Sequence, residues 1–253
     1  MTTLFDCALG GVTLSSLDKS ICVTDVREEA PVYREALTPA WLEGQRLLSR
    51  TRESLSVTVR FAIHEDGLAR RSEVLRAVYA WAENGGALTI SSRPGQRLQV
   101  ICTALPDLSC EDWLEELTLR FTTSHTPWWE TSAVARAAGN SIMTLDVPGN
   151  APSPAPVEVM VINEGADTIH RLKLHCGLTE MVFDDIDLPA GSYFSLLYRD
   201  GIMIAWIDGE SVLSRRTPQS ADRLLAPCGQ TSTVYVDGEE LLHATFSARG
   251  RCV

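Results

Sequence analysis

The chain has 253 residues, 45% of them hydrophobic, and a formal net charge of −11. Residues 1–125 carry 13 basic and 17 acidic groups, and residues 126–253 carry 9 and 16, so both halves are acidic. The length allows one large or two ordinary domains with real cores, and the charge offers no basic stripe for phosphate, which argues against a tight nucleic-acid binder.

No apolar run approaches the length that spans a bilayer. The start, Met1 to Cys7, lacks the basic stretch and long apolar run of a signal peptide, so synthesis and folding in a cytoplasm are expected. The seven cysteines are odd in number and include no C-x-x-C pair. Reduced structural thiols are expected, with Cys102 and Cys176 at inward strand positions and Cys252 the most exposed.

The first half reads as strands around one helix. Leu14 and Ile21–Val26 open it as short strands. Gly44 precedes an extended segment in which Leu55, Val57, Val59, Phe61 and Ile63 alternate with polar or small residues, the mark of a half-buried strand. Over residues 68–83 the period changes. Val74, Leu75, Val78, Trp81 and Ala82 make the stripe of an amphipathic helix, and Gly85-Gly86 supplies its stop. Two strands follow, Ala87–Ser92 and Arg97–Leu105, joined by the turn Arg93-Pro-Gly-Gln96. A strand over 113–124 closes this half, with Leu117, Leu119, Phe121 and Thr123 on one face. Thr126-Pro127 stops it, because proline cannot donate to a ladder. Trp128 and Trp129 come next, where a linker would be polar. Pro127, Trp128 and Trp129 therefore read as a packed junction between two β-rich domains, 1–125 and 126–253.

The second half opens with a short strand at Ser141–Val147 and a Pro-rich loop over 148–156. Strands follow at Val157–Val161 and Ile169–Cys176. Asp200-Gly201, Asp208-Gly209 and Asp237-Gly238 each lie between apolar runs, the strongest short hairpin signal. With no credible helix, this half reads as an antiparallel jelly-roll sandwich.

Chemistry is sparse. His170, His175 and Cys176 suggest a metal site, but strand parity puts His170 and Cys176 with Leu172 and Leu174, and His175 on the other face. Asp184-Asp185-Ile-Asp187 reads as a solvated turn rather than a calcium loop. Glu111-Asp112 and Glu115-Glu116 read as an exposed face rather than a paired acid and base. No nucleophile elbow, H-E-x-x-H or P-loop occurs. The expectation is a protein with no catalytic residues, no metal and no cofactor. Tyr193, Tyr198 and Trp206 are the aromatics that could line a sugar site, although Trp206 shares parity with Ile202 and Ile204, which favours core packing.

This order of features resembles the distal tail protein (Dit) family of siphophages and prophages, over nearly the whole chain. The likeness rests on Gly44-Gln45-Arg46 ahead of the strand Leu55–Ile63, the helix ending in Ala80-Trp81, and the Arg93-Pro94 hairpin. The strand into Thr126-Pro127-Trp128-Trp129 and the closing strand Ala244–Arg251 add to it. The resemblance implies a mainly β fold, with an N-terminal split β-barrel or sandwich carrying one helix and a C-terminal galectin-like antiparallel sandwich. It implies a structural virion protein, a hexameric ring at the tail tip that connects the tail tube to tail-tip, tape-measure and baseplate proteins, without membrane insertion or specific nucleic-acid binding. Arg70, Arg71 and Arg76 on the helix become candidate subunit contacts. The alternative is a carbohydrate-binding sandwich that recognises cell-surface glycan, with Tyr193 and Trp206 as candidate contacts.

Overall fold

The computed structural model describes residues 5–39, 45–106, 116–138, 141–199, 201–239 and 241–253. Gly44, Glu111, Asp112, Trp113, Glu115 and Asp200, used in the reading above, lie outside them. The fold is mainly β, and the chain divides into two compact units, Met1–Trp129 and Glu130–Val253. The division falls after Trp129 because Trp128 and Trp129 find their stacking partners, Arg52 and Arg93, in the first unit.

The elements of the first unit are β1 (Cys7–Leu9), β2 (Val12–Thr13), β3 (Ile21–Glu28), β4 (Val32–Pro39), β5 (Gln45–Ser54), β6 (Ser56–Ile63), α1 (Leu68–Glu83), β7 (Gly86–Ile90), β8 (Gln96–Ala104) and β9 (Leu117–Thr123). An antiparallel sheet runs in the order β2-β1-β7-β8-β9-β6-β3. In β6 the alternation holds: Val57, Val59, Phe61 and Ile63 are buried and Arg60 is exposed. Val57, Val59 and Phe61 sit opposite Phe121, Leu119 and Leu117 of β9, so apolar side chains meet across the ladder.

The helix buries Val74, Leu75, Val78 and Ala82. Trp81 is only partly covered; its ring meets Phe121 edge-on at 5.9 Å, and its Nε1 donates to the Val12 carbonyl at 2.9 Å. Gly85 ends the helix at φ +61, and a Cβ there would lie 2.4 Å from the Val100 carbonyl oxygen, so both conformation and space call for glycine. Leu14 is not in a strand; it anchors a 3-10 turn, Leu14–Ser16, and is fully buried.

The sequence reading contained no hairpin before Leu55, and the structure has a long one. β4 and β5 form a separate two-stranded ribbon with register breaks at Val32/Tyr33 and Ala36/Leu37. Only Leu55 separates β5 from β6, so the ribbon extends a core strand outward.

The second unit contains β10 (Trp129–Ala138, from Glu130 onward), β11 (Met143–Val147), β12 (Ala155–Asn163), β13 (Ile169–Cys176), β14 (Thr179–Leu188), β15 (Tyr193–Arg199), β16 (Ile202–Ile207), β17 (Glu210–Ser211), β18 (Leu225–Ala226), β19 (Gln230–Gly238) and β20 (Leu242–Cys252). Its sheets run β17-β16-β15-β12-β20-β10, with β18 on the end of β12, and β11-β19-β13-β14. Their inner faces make one core that includes Val157, Val159, Val161, Leu172, Leu174, Phe183, Phe194 and Phe246. Alternating burial along all of β20 places it at the centre of this sandwich.

Of the two Asp-Gly pairs that lie wholly within the described residues, one turns as expected. Asp208 (φ 47) and Gly209 (φ 93) close a two-residue hairpin between Ile207 and Glu210. Arg199 pairs with Ile202, and Gly201 has φ 77. Asp237-Gly238 does not turn: both continue β19, opposite Lys173 and Leu172. A Cβ on Gly238 would come within 2.7 Å of Leu242 Cδ1, so this glycine serves close packing, not reversal. The run Asp184 to Asp187 is likewise strand β14 rather than a turn, kinked at Asp185 (φ 57). Cys252 is buried rather than exposed, and Cys102 is partly exposed.

Candidate functional site

The ribbon β4–β5 is the most unusual surface of the first unit. Val32, Tyr33, Leu37, Leu47 and Leu48 on it are between 41% and 63% exposed, and among the described strands β4 and β5 form a ladder with each other alone. An isolated two-stranded ribbon is marginal in water at best. Leu37 pairs with Leu47, and Ala36 with Ser49, which leaves Leu48 as the extra residue of a β-bulge. Leu47 and Leu48 thus stand together opposite Leu37, concentrating three exposed leucines in the half of the ribbon away from the core.

The base of the ribbon is held firmly. Arg52 is 7% exposed, with its guanidinium 4.4 Å from the Trp128 ring centre. Burial lowers its pKa, which leaves an arginine charged at any physiological pH. Arg93 lies 5.3 Å from the Trp129 ring centre and grips Glu28, the last residue of β3, through Nε at 2.7 Å and Nη2 at 3.1 Å. Both ends of the ribbon are therefore tied to arginine–tryptophan stacks. Glu29 accepts from the Thr58 hydroxyl and from Arg120, each at 2.6 Å, and these bonds, the Thr58 one first, hold its carboxyl below the usual range. Further out, Arg50 stacks on Tyr33 at 4.1 Å and pairs with Glu35 at 3.2 Å.

Trp128 and Trp129 come together here, Trp129 is fully buried, and Pro127 is half-buried. Of the helix arginines, Arg71 is buried, Arg70 pairs with Asp18 and Glu73, and Arg76 is exposed. In the second unit Trp206 does not pack into the core. It is 40% exposed, on the outer face with Ile202 at 65% and, on the neighbouring strands, Tyr193 at 48% and Met160 at 46%. The register places Met160, Ser195 and Trp206 in one row across β12, β15 and β16, with Tyr193 a diagonal neighbour of Trp206. Parity was read correctly; the face was not, because Ala205 and Ile207 point inward instead.

The titratable groups form no reactive constellation in the described residues. His170 is turned outward by the bulge between Ile169 and Arg171, and it meets Asp187 at 3.1 Å. His175 stacks on Tyr235 at 4.4 Å. Asp184 and Asp185 pair with Arg171 and Arg215. Burial raises the Cys176 thiol and the Tyr198 hydroxyl each to about 12, so neither is an accessible nucleophile or base. No three His, Cys, Asp or Glu side chains gather as metal ligands among the described residues, and no described helix is long and apolar enough to cross a membrane.

The signal for the ribbon was present but ambiguous. Residues 32–54 mix four arginines with exposed leucines, without the one-sided alternation that marks a buried strand.

No family model and no curated protein matches the chain. Solved structures do. The Dit protein of phage SPP1, described as a paradigm of the hub adsorption apparatus in phages that infect Gram-positive bacteria, has a TM-score of 0.72 at 10% identity, over 97% of this chain and 98% of that one. A chain of the phage P2 baseplate, in its activated conformation with Ca, has a TM-score of 0.51 at 6% identity, over 97% of each. At such identities the likeness is one of fold, and it runs through both units: the chain has the fold of the phage distal tail protein Dit.

Proposed function

We propose that the chain is a structural protein of a phage tail, a Dit-type ring that joins the tail tube to the tail-tip and receptor-binding apparatus. The observation that carries this is the fold match to SPP1 Dit over nearly the full length of both chains. In this reading six copies form the ring. Its partners are the tail tube protein, the tail-tip or tape-measure protein and the baseplate, its place is the virion, and it performs no catalysis. The second unit is the galectin-like domain of such a ring. The exposed leucines of β4–β5 fit a protein that is incomplete as a monomer.

Light scattering across a concentration series, with negative-stain images of the densest sample, tests the reading. Six-membered rings with a central hole are the expected result. A second reading, a glycan-binding sandwich, draws on the outward placement of Trp206 and Tyr193. It predicts oligosaccharide binding that Trp206→Ala abolishes, and titration calorimetry decides it.

A further inference from the structure

We propose that residues 213–222 are a releasable strap over the outer edge of β14, and that the edge beneath it is a strand-addition site for a basic extended segment of another protein. This goes beyond the tail-ring reading and does not depend on it. Among the described strands β14 is an end strand of its sheet, with β13 as its ladder partner. On its other side lies the strap, which begins in the 3-10 turn Leu213–Arg215 and runs antiparallel to it, with Arg216 bridged to Phe183. The Thr217 amide donates to the Val182 carbonyl at 2.9 Å, and the Ala221 amide donates to the Glu180 carbonyl at 2.8 Å. In return the Val182 amide donates to Ser220 Oγ at 2.8 Å. The strap thus occupies the backbone groups through which an added strand would pair.

The strap is fastened at its ends. Val212 and Leu213 pack on the core and Leu224 is fully buried, whereas no residue from Ser214 to Arg223 is buried. Its middle hangs on the hydrogen bonds above and on the ion pair of Arg215 with Asp185, both more than half exposed, a pair that adds little. A segment with anchored ends and a polar middle opens locally, well below the cost of global unfolding. Charge names the occupant. β14 carries Glu180, Asp184, Asp185 and Asp187 and no basic residue. Lys173 and Arg171 of β13 answer Glu180 and Asp184, which leaves Asp185 to the strap's Arg215. A strand that replaces the strap meets the same acids, so it brings arginine or lysine of its own. The straight edge offered to it is residues 179–184, ended by the kink at Asp185.

The test uses the full chain and two measurements. The first is hydrogen exchange of the wild type. The Val182 and Ala221 amides should exchange together, at least about 100-fold faster than the Leu174 amide inside the same sheet. Exchange as slow as that of Leu174 means that the strap does not open, and overturns the proposal. The second compares wild type with Arg215→Ala plus Ser220→Ala, which removes the ion pair and the Ser220 bond, with thermal melting as the control for folding. The probe is a fluorescent peptide of the strap's own sequence, residues 213–222, followed by anisotropy. The loosened chain should bind it on the order of 10-fold more tightly than wild type, because the open edge is populated more often. The same peptide with Arg215→Glu and Arg216→Glu should bind neither chain. Equal binding by both chains, or binding of the charge-reversed peptide, overturns the site or its preference for a basic strand. If the loosened chain fails to fold, hydrogen exchange of the wild type decides alone.

Discussion

β5 and β6 are one extended run of chain with a single residue between them, yet they have opposite fates. β6 lies between β3 and β9 and buries Val57, Val59, Phe61 and Ile63. β5 has only β4 beside it, and Arg52 is the one described side chain that it buries. Backbone conformation is common to both, so it does not decide burial. What decides is an apolar residue at every second position together with a neighbour on each side. Where both conditions end, at Leu55, the core ends too.

The contrast can be broken most severely from the β6 side. Phe61→Ala removes a fully buried ring and should cost about 3–5 kcal/mol, read as a lower urea midpoint for the first unit. Next comes the hinge between the strands. Arg52→Ala should cost about 2 kcal/mol through the lost Trp128 stack, and should speed hydrogen exchange of β5 amides well before those of β6. If β5 exchanges no faster, the stack does not hold the ribbon.

A smaller effect depends on pH. Glu29 has a depressed folded pKa, so its bonds stabilise the fold above the unfolded value near 4.5, and that stabilisation is lost as pH falls through the folded value. Thr58→Val removes the largest cause and should flatten this loss, seen by comparing melting at about pH 6 and about pH 3. The smallest change in stability belongs to the ribbon β4–β5 itself. Leu47→Ser with Leu48→Ser should move the monomer's unfolding free energy by no more than about 0.5 kcal/mol, since both residues are already exposed. A large destabilisation would mean that the two strands are not as different as they look.

Elements with one wet and one dry face were legible in the sequence. The helix stripe Val74 to Ala82, the alternation of β6 and the Asp208-Gly209 turn each follow from a local rule. Failures cluster where two local rules compete or where a face must be chosen. Trp206 and Ile202 share parity, as read, but period two cannot say which face is inside. His170 left its predicted face because a bulge resets parity. Asp237-Gly238 has the composition of a turn and the role of a close contact. In the candidate site, Trp128 and Trp129 stood out as packed aromatics, but Arg52 and Arg93, far away in sequence, could not be assigned to them. The ribbon β4–β5 was missed for a simpler reason: it has no core face, so the core-seeking pattern is absent.

The place of β20 bears on the order in which the protein can be made. It lies between β12 and β10 and pairs with β12 from Val157 opposite Ala248 to Asn163 opposite Leu242. While the chain grows from its amino end, β12 and β10 must wait with open edges until β20 emerges, and their apolar faces wait with them. Every strand of the first unit's sheet, by contrast, has been synthesised once β9 is complete. Nascent chains halted before residue 242 should therefore bring a folded first unit and an aggregation-prone second one.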